Sequence, residues 1–253
     1  MKISRRKFLR LGALALPAAL GADARLIEPT LLRITRVTIN PAGELQVVHF
    51  SDFHYKGDKE YASEVVEQIN SLAPDFVCFT GDLVEDKKFV PAALEFIQQI
   101  KAPVYGSPGN HDYRCGARFA DYQRAFAATG GGWLADRRVV LADFDLELVG
   151  LGANGFRQLD SRAAARRIML VHYPYEADRL HGHRFDLLLA GHSHGGQVRL
   201  PFYGAIALPW GVGRYEHGYY ETPAGPLYVN AGIGTYHFPW RFNCRPELTL
   251  LKV

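Results

Sequence analysis

Short apolar runs rich in β-branched residues alternate with amphipathic stretches along the first half of the chain. The run "LQVVHF" at residues 45–50 has the length and composition of a buried strand, and the run "LLRITRVTI" before it is a candidate pairing partner. Residues 61–72 place Val65, Val66 and Ile69 on one helical face. This alternation predicts βαβ units and a largely parallel or mixed sheet, with further strands at 75–80 and 103–106 and further helices at 91–100 and 117–128.

The second half of the chain is richer in strands, with apolar runs at "DLELVGL", "RIMLVHY", "FDLLLA", "PLYVN" and "ELTLLKV". Hydrophobic residues make up 48% and charged residues 22% of the chain, which is ordinary soluble globular usage. A length of 253 residues fits one large domain. We therefore expect a single α/β domain.

Side chains that can bind metal follow five of these predicted strands. They are Asp52 and His54 after the strand at 45–50, Asp82 after that at 75–80, Asn110, His111 and Asp112 after that at 103–106, His172 at the end of "RIMLVHY", and His192 and His194 after "FDLLLA". Ligands bind at the carboxyl edge of open α/β sheets. If the strands lie side by side, these side chains converge on one crevice.

Two aspartates, one asparagine and four histidines among these residues form a donor set without thiolate. Such a set suits manganese, iron, zinc or cobalt rather than a structural zinc cage. Seven ligands are too many for one small ion, whereas two ions about 3.5–4 Å apart, bridged by one carboxylate, would use them all.

Each residue alone has a simpler interpretation. Asp82 alone fits a capping carboxylate, Asn110 a turn residue and His172 a core histidine, so the metal interpretation depends on the whole set. We expect the remaining histidines to be structural or exposed: His49, His181, His183, His217 and His237. Cys78 fits a buried strand, and Cys115 and Cys244 have no assigned role.

Taken together, "DFH" at 52–54, "GD" at 81–82, "GNHD" at 109–112, His172 and "GHSH" at 191–194 resemble the motifs of the calcineurin-like metallophosphoesterase family. The resemblance runs from about residue 45 to the C-terminus. "GHSHGGQVRLP" and "GIGTYHFPWRFNCRPELTLL" resemble a subgroup of bacterial envelope phosphoesterases. The resemblance implies two mixed β-sheets packed as a sandwich and flanked by helices.

The resemblance also implies a role for each site residue, as follows: Asp52, His54 and His194 on a first metal, Asn110, His172 and His192 on a second, and Asp82 bridging the two. His111 would act as general acid or transition-state donor, and Asp112 would orient it. A hydroxide held between two divalent ions would attack a phosphodiester or pyrophosphate. Glu85, where many relatives have Asp, and Ala231, where an arginine is common, depart from the pattern.

Two alternatives stay open at this point. One is hydrolysis of UDP-2,3-diacylglucosamine in lipid A synthesis, which some relatives perform. The other is a non-catalytic metal-binding envelope protein, because a fold alone does not establish activity. Aromatic residues that flank the crevice, such as Trp210, are candidates for an apolar wall that binds a lipid or a nucleobase.

Residues 1–24, "MKISRRKFLRLGALALPAALGADA", have the pattern of an export signal or membrane anchor, which leaves 25–253 as the metallophosphoesterase domain. "SRRKFL" resembles a twin-arginine signal, which predicts a partnership with that export machinery, contact with the membrane surface, and a location in the periplasm or on the outer face of the cytoplasmic membrane. The leader holds five of the 29 basic residues and one of the 26 acidic residues, so the remainder has a net charge of −1. A near-neutral body without a basic stripe disfavours nucleic-acid binding.

Overall fold

The computed structural model describes residues 15, 17–153, 155, 163–180 and 182–253. Within these residues the strands form two six-stranded sheets and one short hairpin. In spatial order the first sheet contains β1 (Arg33–Thr38), β14 (Glu247–Lys252), β2 (Gln46–Phe50), β3 (Phe76–Phe79), β4 (Val104–Gly106) and β5 (Gly132–Trp133). The second sheet contains β12 (Gly218–Thr222), β13 (Gly225–Val229), β9 (Leu187–Ala190), β8 (Arg166–Leu170), β7 (Leu146–Gly150) and β6 (Arg137–Leu141). The hairpin is β10 (Arg199–Leu200) with β11 (Gly204–Ala205).

Both large sheets are mixed. Strands β2 to β5 run parallel in the first sheet, as do β7, β8, β9 and β13 in the second. Antiparallel pairs join β14 to β2, β12 to β13 and β6 to β7. The carboxyl ends of the parallel strands in each sheet therefore share an edge.

The two sheets pack face to face because their central strands are apolar on both sides. On β3, Phe76 joins the core between the sheets while Val77 joins the core beneath the helices. On β9, Leu187 faces the first sheet and Leu188 faces outward. Side chains alternate across a strand, so a continuous apolar run is the pattern of a sheet covered on both faces.

Three helices pack with the first sheet: α1 (Lys59–Ser71), α2 (Val90–Gln98) and α4 (Phe119–Ala128). Helix α1 begins where the Asp58 side chain accepts a hydrogen bond from the backbone N–H of Tyr61, and α2 has a proline in its first turn. The outer face of the second sheet packs against the 3-10 segment Pro174–Asp178 and nearby loops. The expectation of an α/β sandwich with flanking helices is confirmed.

One predicted pairing is wrong. Strand β1 does not pair with β2, because β14 lies between them and bonds in parallel to β1 and antiparallel to β2. β14 carries the buried Leu248 and Leu251, which pack on opposite faces of the sheet. A strand that is apolar on both faces is stabilised in the interior of a sheet, which accounts for the position of β14. The prediction that β1 pairs with β2 relied only on their being neighbours in the sequence.

The described N-terminal residues run along the surface of the body. Residues 17–22 are helical and lead into a π-helical turn at Asp23–Ile27, and Ala24 is buried. No helix among the described residues is long and apolar enough to cross a membrane. Residues 1–14, which contain the arginine pair of the predicted signal, lie outside the described residues. The same is true of residue 16 and of His181.

Candidate metal centre

The carboxyl ends of five strands bring all seven predicted metal ligands together. Asp52 and His54 follow β2, Asp82 follows β3 and Asn110 follows β4, while His172 follows β8 and both His192 and His194 follow β9. The first sheet thus supplies the carboxylates, the amide and one imidazole, and the second sheet supplies three imidazoles. The site lies where the edges of the two sheets meet.

Asp52, His54 and His194 form a first group of ligand atoms. The Nε2 atoms of His54 and His194 are 3.1 Å apart. The Oδ1 atom of Asp52 lies 3.4 Å from the second of these nitrogens and 3.8 Å from the first. Its other carboxylate oxygen accepts a hydrogen bond of 2.8 Å from the backbone N–H of His192, which fixes the orientation of the carboxylate.

Asp82, His172 and His192 form a second group, and Asn110 adjoins it. His172 Nε2 lies 3.0 Å from His192 Nδ1, 3.1 Å from Asn110 Oδ1 and 3.3 Å from Asp82 Oδ2. The same Oδ2 atom is 3.5 Å from His54 Nε2 in the first group. A single carboxylate oxygen therefore adjoins both groups, which is the position that a bridging ligand needs.

Acceptors behind the imidazoles fix which nitrogen faces the site. His172 Nδ1 lies 2.7 Å from the carbonyl of Thr80, and His192 Nε2 lies 2.7 Å from the carbonyl of Trp210. His54 Nδ1 lies 2.6 Å from Glu85 Oε1. We assign a proton to each of these outer nitrogens because only an N–H can donate to such oxygens. The inward nitrogens are then the ones that can offer lone pairs to a metal ion, as in the histidine ligands of metalloproteins.

These donors fit divalent metal ions. A cation between the inward nitrogens of His172 and His192, which lie 3.0 Å apart, would accept a lone pair from each. Two nitrogens each about 2.1 Å from one ion would be about 3 Å apart at a right angle, which matches this spacing. Asp52 Oδ1 is buried without a hydrogen-bond partner among the described residues, so it has a coordination position to offer. The seven ligand residues therefore fit the two divalent metal ions that the sequence pattern predicts.

The carboxylates of the site are held in their ionised form. Burial by itself would raise the pKa of Asp52, but His194 and His54 beside it lower that pKa to well below 3.8. Burial likewise opposes ionisation of Asp82, and the neighbouring His172 outweighs it and lowers the pKa to about 2. Both side chains are thus anions available to a cation.

The backbone at the site is unusual, since φ lies between 45° and 66° at Asp52, His54, Asp82, His192 and His194. Such left-handed conformations are uncommon outside glycine and concentrate where function requires them. The glycines of two motifs permit close approach between strand ends. A side chain at Gly109 would collide with Asp82, and one at Gly191 would collide with Ser51 and Asp52.

The predicted role of Asp112 as the residue that orients His111 is wrong. The Asp112 carboxylate accepts from the backbone N–H groups of Asp82, Leu83 and Gly109 and from the hydroxyl of Tyr122. It therefore holds the loop of Asp82, the predicted bridging residue, and each of its four hydrogen bonds goes to a group other than the His111 imidazole.

Glu85 takes the place that the sequence analysis gave to Asp112. One of its oxygens lies 3.1 Å from His111 Nδ1 and the other lies 2.6 Å from His54 Nδ1. Sequence reasoning noted Glu85 only as a departure from the family pattern. Its position three residues after Asp82, at the same strand end, was the available signal.

Comparison with known proteins agrees with this geometry. A family model described as calcineurin-like phosphoesterase matches residues 45–196, which is more than half of the chain. The chain belongs to the calcineurin-like phosphoesterase family. It is therefore a metallophosphoesterase, a hydrolase of phosphoric ester bonds.

Relatives of this phosphoesterase cover nearly its whole length. The uncharacterized metallophosphoesterase YkuE of Bacillus subtilis is 34% identical, over 100% of this chain and 98% of YkuE. The phosphodiesterase YaeI of Escherichia coli is 27% identical over 99% of both chains. The UDP-2,3-diacylglucosamine pyrophosphatase LpxG of Chlamydia trachomatis is 28% identical over 94% of both.

The metal-ligand groups of this phosphoesterase open into a pocket of about 200 Å³. His111 and Arg114 lie on one side of it, with Arg114 Nη1 3.4 Å from His111 Nε2. Aromatic rings form much of the remaining wall: Tyr173, Trp210 and Tyr236. Sequence reasoning missed Arg114, although its position one helical turn after His111 on α3 (Asn110–Arg114) placed both on one face.

The histidines expected to be structural lie apart from the two ligand groups where the structure describes them. His49 is buried with Nε2 2.9 Å from the hydroxyl of Thr80, and burial lowers its pKa to about 3. His217 lies 2.9 Å from Glu247. The three cysteines are free: Cys78 and Cys244 are buried and Cys115 is half-buried.

Proposed function

We propose that this phosphoesterase is a phosphodiesterase that works with two divalent ions. The observation that carries the proposal is the position of Asp82 Oδ2, 3.5 Å from His54 Nε2 and 3.3 Å from His172 Nε2. One oxygen between two ligand groups supports two neighbouring ions that share a carboxylate. Asp52 and His194 would complete the first ion site, and Asn110 and His192 the second. Manganese, iron, zinc and cobalt all fit these donors.

When bound, two such ions activate water at neutral pH and neutralise charge on the phosphoryl oxygens. The chain's own residues supply the remaining requirements. Glu85 lies 3.1 Å from His111 Nδ1 and can hold the imidazolium form of the ring, whose Nε2–H faces the pocket and can pass its proton to the leaving-group oxygen, which leaves a neutral imidazole. The guanidinium of Arg114, beside that nitrogen, can hold a phosphoryl oxygen.

The walls of the pocket favour a diester over a monoester. A phosphodiester carries one negative charge and two organic groups, whereas a monoester carries up to two charges and one organic group. Among the described residues that line the pocket, Arg114 is the one arginine or lysine, and Tyr173, Trp210 and Tyr236 offer apolar surface. These rings can contact the second organic group of a diester.

The test is hydrolysis of bis(p-nitrophenyl) phosphate and of p-nitrophenyl phosphate by metal-free protein titrated with manganese. We expect faster turnover of the diester, saturation at two ions per chain, and loss of both ion binding and turnover in Asp82→Ala. His111→Ala should still bind two ions while kcat falls by ~10²–10⁴. His183→Ala is the matched control, since its imidazole lies outside the ligand groups.

Two results would overturn the proposal. A faster monoester reaction would remove the diester assignment. Tight binding of two ions without turnover of either ester would remove the phosphodiesterase assignment and leave hydrolysis of a lipid-linked pyrophosphate or a non-catalytic metal-binding protein as the alternatives.

A second candidate reaction is hydrolysis of the pyrophosphate in UDP-2,3-diacylglucosamine, which is the reaction in the name of LpxG. The favouring observation is an apolar groove of about 370 Å³ next to His194, with Leu208, Pro209 and Phe238 in its walls. An acyl chain fits such a groove better than a sugar does. Release of UMP from UDP-2,3-diacylglucosamine at a rate well above that of bis(p-nitrophenyl) phosphate would support this candidate, and equal or slower release would reject it.

We also propose that the chain is exported through the twin-arginine pathway and works on the outer side of the cytoplasmic membrane. The support is the Arg5–Arg6 pair before an apolar stretch. The double substitution Arg5→Lys/Arg6→Lys should prevent export, so that protease added to spheroplasts no longer digests the chain. Arg10→Lys, which also keeps the positive charge of the leader, should leave the chain accessible to the protease. Accessibility that survives the double substitution would contradict this route.

We propose further that the leader stays attached as an anchor. Ala24, which ends the predicted cleavage motif, is 4% exposed, and its carbonyl accepts a hydrogen bond of 2.9 Å from the backbone N–H of Arg241. A peptidase needs an accessible, extended segment, which this packed turn does not present. The intact mass of protein extracted from membranes should include residues 1–24, and a mass that begins at Arg25 would refute retention.

A further inference from the structure

Two loops beside the site expose an unusual amount of apolar surface. The segments 200–213 and 230–240 contain no Lys, Arg, Asp or Glu. We call their exposed large apolar side chains, most of which are aromatic, the aromatic face: Leu200, Phe202, Tyr203, Ile206, Trp210, Phe238 and Trp240. Phe202 is fully exposed and Trp210 is 78% exposed. Apolar side chains exposed in such number beside a site indicate an interaction surface more often than single scattered ones do.

The two loops are joined into one surface by hydrogen bonds. The backbone N–H of Arg199 donates to the carbonyl of Phe242, and the N–H of Phe242 donates to the carbonyl of Gln197. The Gln197 side chain then donates to the carbonyls of Tyr236 and Phe238. The apolar groove next to His194 lies between the same loops, so the aromatic face borders the metal centre.

The backbone holds one of these rings outward. Phe202 has φ of 66°, a left-handed conformation that is strained for a bulky side chain. Strain of this kind persists only where the surrounding structure imposes it, and it is typical of functional segments. The tip of the hairpin β10–β11 therefore presents an aromatic ring to solvent at an energetic cost.

The N-terminal segment leaves the body on this side of the molecule. Arg241, which follows Trp240, donates its backbone N–H to Ala24, and Leu26 lines a depression together with Pro239. Leu26 and Ile27 are 69% and 54% exposed. The helical residues 17–22 that precede them are apolar and mostly exposed. The predicted leader and the aromatic face thus meet at the loop around Trp240.

We propose that the aromatic face is a docking surface for the interfacial region of a phospholipid bilayer. Tryptophan and tyrosine settle at the headgroup level of membranes, and phenylalanine inserts at the boundary with the acyl chains. A bilayer can accept the leader and the adjoining face at the same time. A soluble partner or a second copy of the chain would have to cover an apolar leader as well as this face.

The docked orientation also indicates a class of substrate, and this step rests on the proposed phosphodiesterase function. Trp210 belongs both to the aromatic face and to the wall of the metal pocket. A docked molecule therefore opens its pocket at headgroup depth, where the phosphodiester groups of phospholipids lie. The substrate class that this geometry fits is a lipid-linked phosphoester.

The first experiment measures contact with lipid directly. The full chain is reconstituted into phosphatidylcholine and phosphatidylglycerol vesicles with and without brominated acyl chains, which quench tryptophan emission at short range. The chain has three tryptophans, and Trp133 is 2% exposed in the core. We expect bromolipid to quench wild-type emission strongly and to leave Trp210→Phe/Trp240→Phe, whose emission comes from Trp133 alone, unquenched.

Two outcomes would overturn the docking surface. Absence of quenching in the wild type would mean that the leader holds the body away from the bilayer. Tryptophan emission that shifts with protein concentration and not with bromolipid would assign the face to a second copy of the chain.

The second experiment separates docking from catalysis. Phe202→Ser/Ile206→Ser alters two exposed side chains outside the metal pocket, and Val140→Ser, which alters an exposed apolar side chain on the edge strand β6, is the control. We expect unchanged turnover of bis(p-nitrophenyl) phosphate in both. Turnover of a phosphodiester lipid in vesicles should fall on the order of tenfold in the loop variant alone, because two apolar side chains no longer leave water.

The outcomes distinguish the two proposals. Equal turnover of vesicle lipid by the loop variant and by the wild type would overturn the lipid-substrate assignment while the quenching result stands. Absence of turnover of every ester by the wild type would remove the phosphodiesterase function and, with it, the lipid-linked substrate that depends on it.

Discussion

Glu85 offers the sharpest test of the geometry, since one carboxylate contacts both a predicted metal ligand and the predicted proton donor. Its oxygens lie 2.6 Å from His54 Nδ1 and 3.1 Å from His111 Nδ1. In Glu85→Gln the amide oxygen can accept from one ring, but the amide nitrogen must face the other ring and needs an acceptor there. That ring has to move its proton to Nε2. If the ring is His54, the lone pair that faces the metal centre is lost.

The magnitude follows from the contacts removed. A hydrogen bond to a charged group contributes ~1.5–3 kcal/mol, which corresponds to a change of roughly 10- to 150-fold in an equilibrium constant. Loss of a partner that orients a metal ligand costs on the order of 10- to 100-fold in metal affinity or activity. We therefore expect Glu85→Gln to weaken binding of one manganese ion by about 10- to 100-fold and to lower kcat even at saturating manganese.

The assay is calorimetric titration of metal-free protein with manganese, followed by kcat and KM for bis(p-nitrophenyl) phosphate. Asp86→Asn is the matched control: it removes the same charge one residue away, and an asparagine can keep the hydrogen bond from the backbone N–H of Lys88. Glu85→Asp keeps the charge but is too short to reach both rings, so its effect should be intermediate. Wild-type ion binding and turnover in Glu85→Gln would refute the reasoning.

Three further predictions concern stability. Arg241 is fully buried and donates to the backbone carbonyls of residues 231, 232, 234 and 244. Arg241→Met should lower the free energy of unfolding, measured in urea, by about 4 kcal/mol or more, because these acceptors lose their partner. A loss below about 1 kcal/mol would contradict this account. Burial raises the pKa of Glu247 but His217 outweighs it and lowers that pKa from 4.5 to about 2, so the stabilisation is complete above pH 4.5 and is lost as the pH falls towards 2. The free energy of unfolding of the wild type should therefore decline by about 3 kcal/mol more than that of Glu247→Gln across this interval, and parallel curves would reject the assignment. Removal of metal with EDTA should lower Tm in the wild type and leave it unchanged in Asp82→Ala, because bound ions stabilise only the folded state.

Several features could be predicted from local sequence. The helices of the first half and the buried strands before the site follow from apolar periodicity, and α1 and β3 lie within two residues of their predicted bounds. The ligand set could be predicted because parallel strands in one sheet end at a common edge. The net positive charge of the chain comes from its leader, and this could be read directly from the positions of the basic residues between Lys2 and Arg10.

Other features depend on contacts between distant parts of the chain. The central position of β14 was hidden because it pairs with strands about 200 residues earlier, and periodicity does not specify partners. The contact with the His111 imidazole was predicted for Asp112 rather than for Glu85 for a similar reason. Asp112 is adjacent to His111 in sequence, yet α3 turns its carboxylate towards the loop of Asp82 while Glu85 reaches the imidazole.

The sequence by itself therefore determined which residue types stand at the strand ends, and hence the family and its chemistry. Tertiary structure alone decided which nitrogen of each histidine faces the site, which carboxylate orients His111, and that Pro209 and Phe238 from two separate loops line one groove beside His194. The physical reason is that residue type and local period are written along the chain. Hydrogen-bond direction, backbone strain and solvent exposure arise only when segments far apart in sequence come into contact.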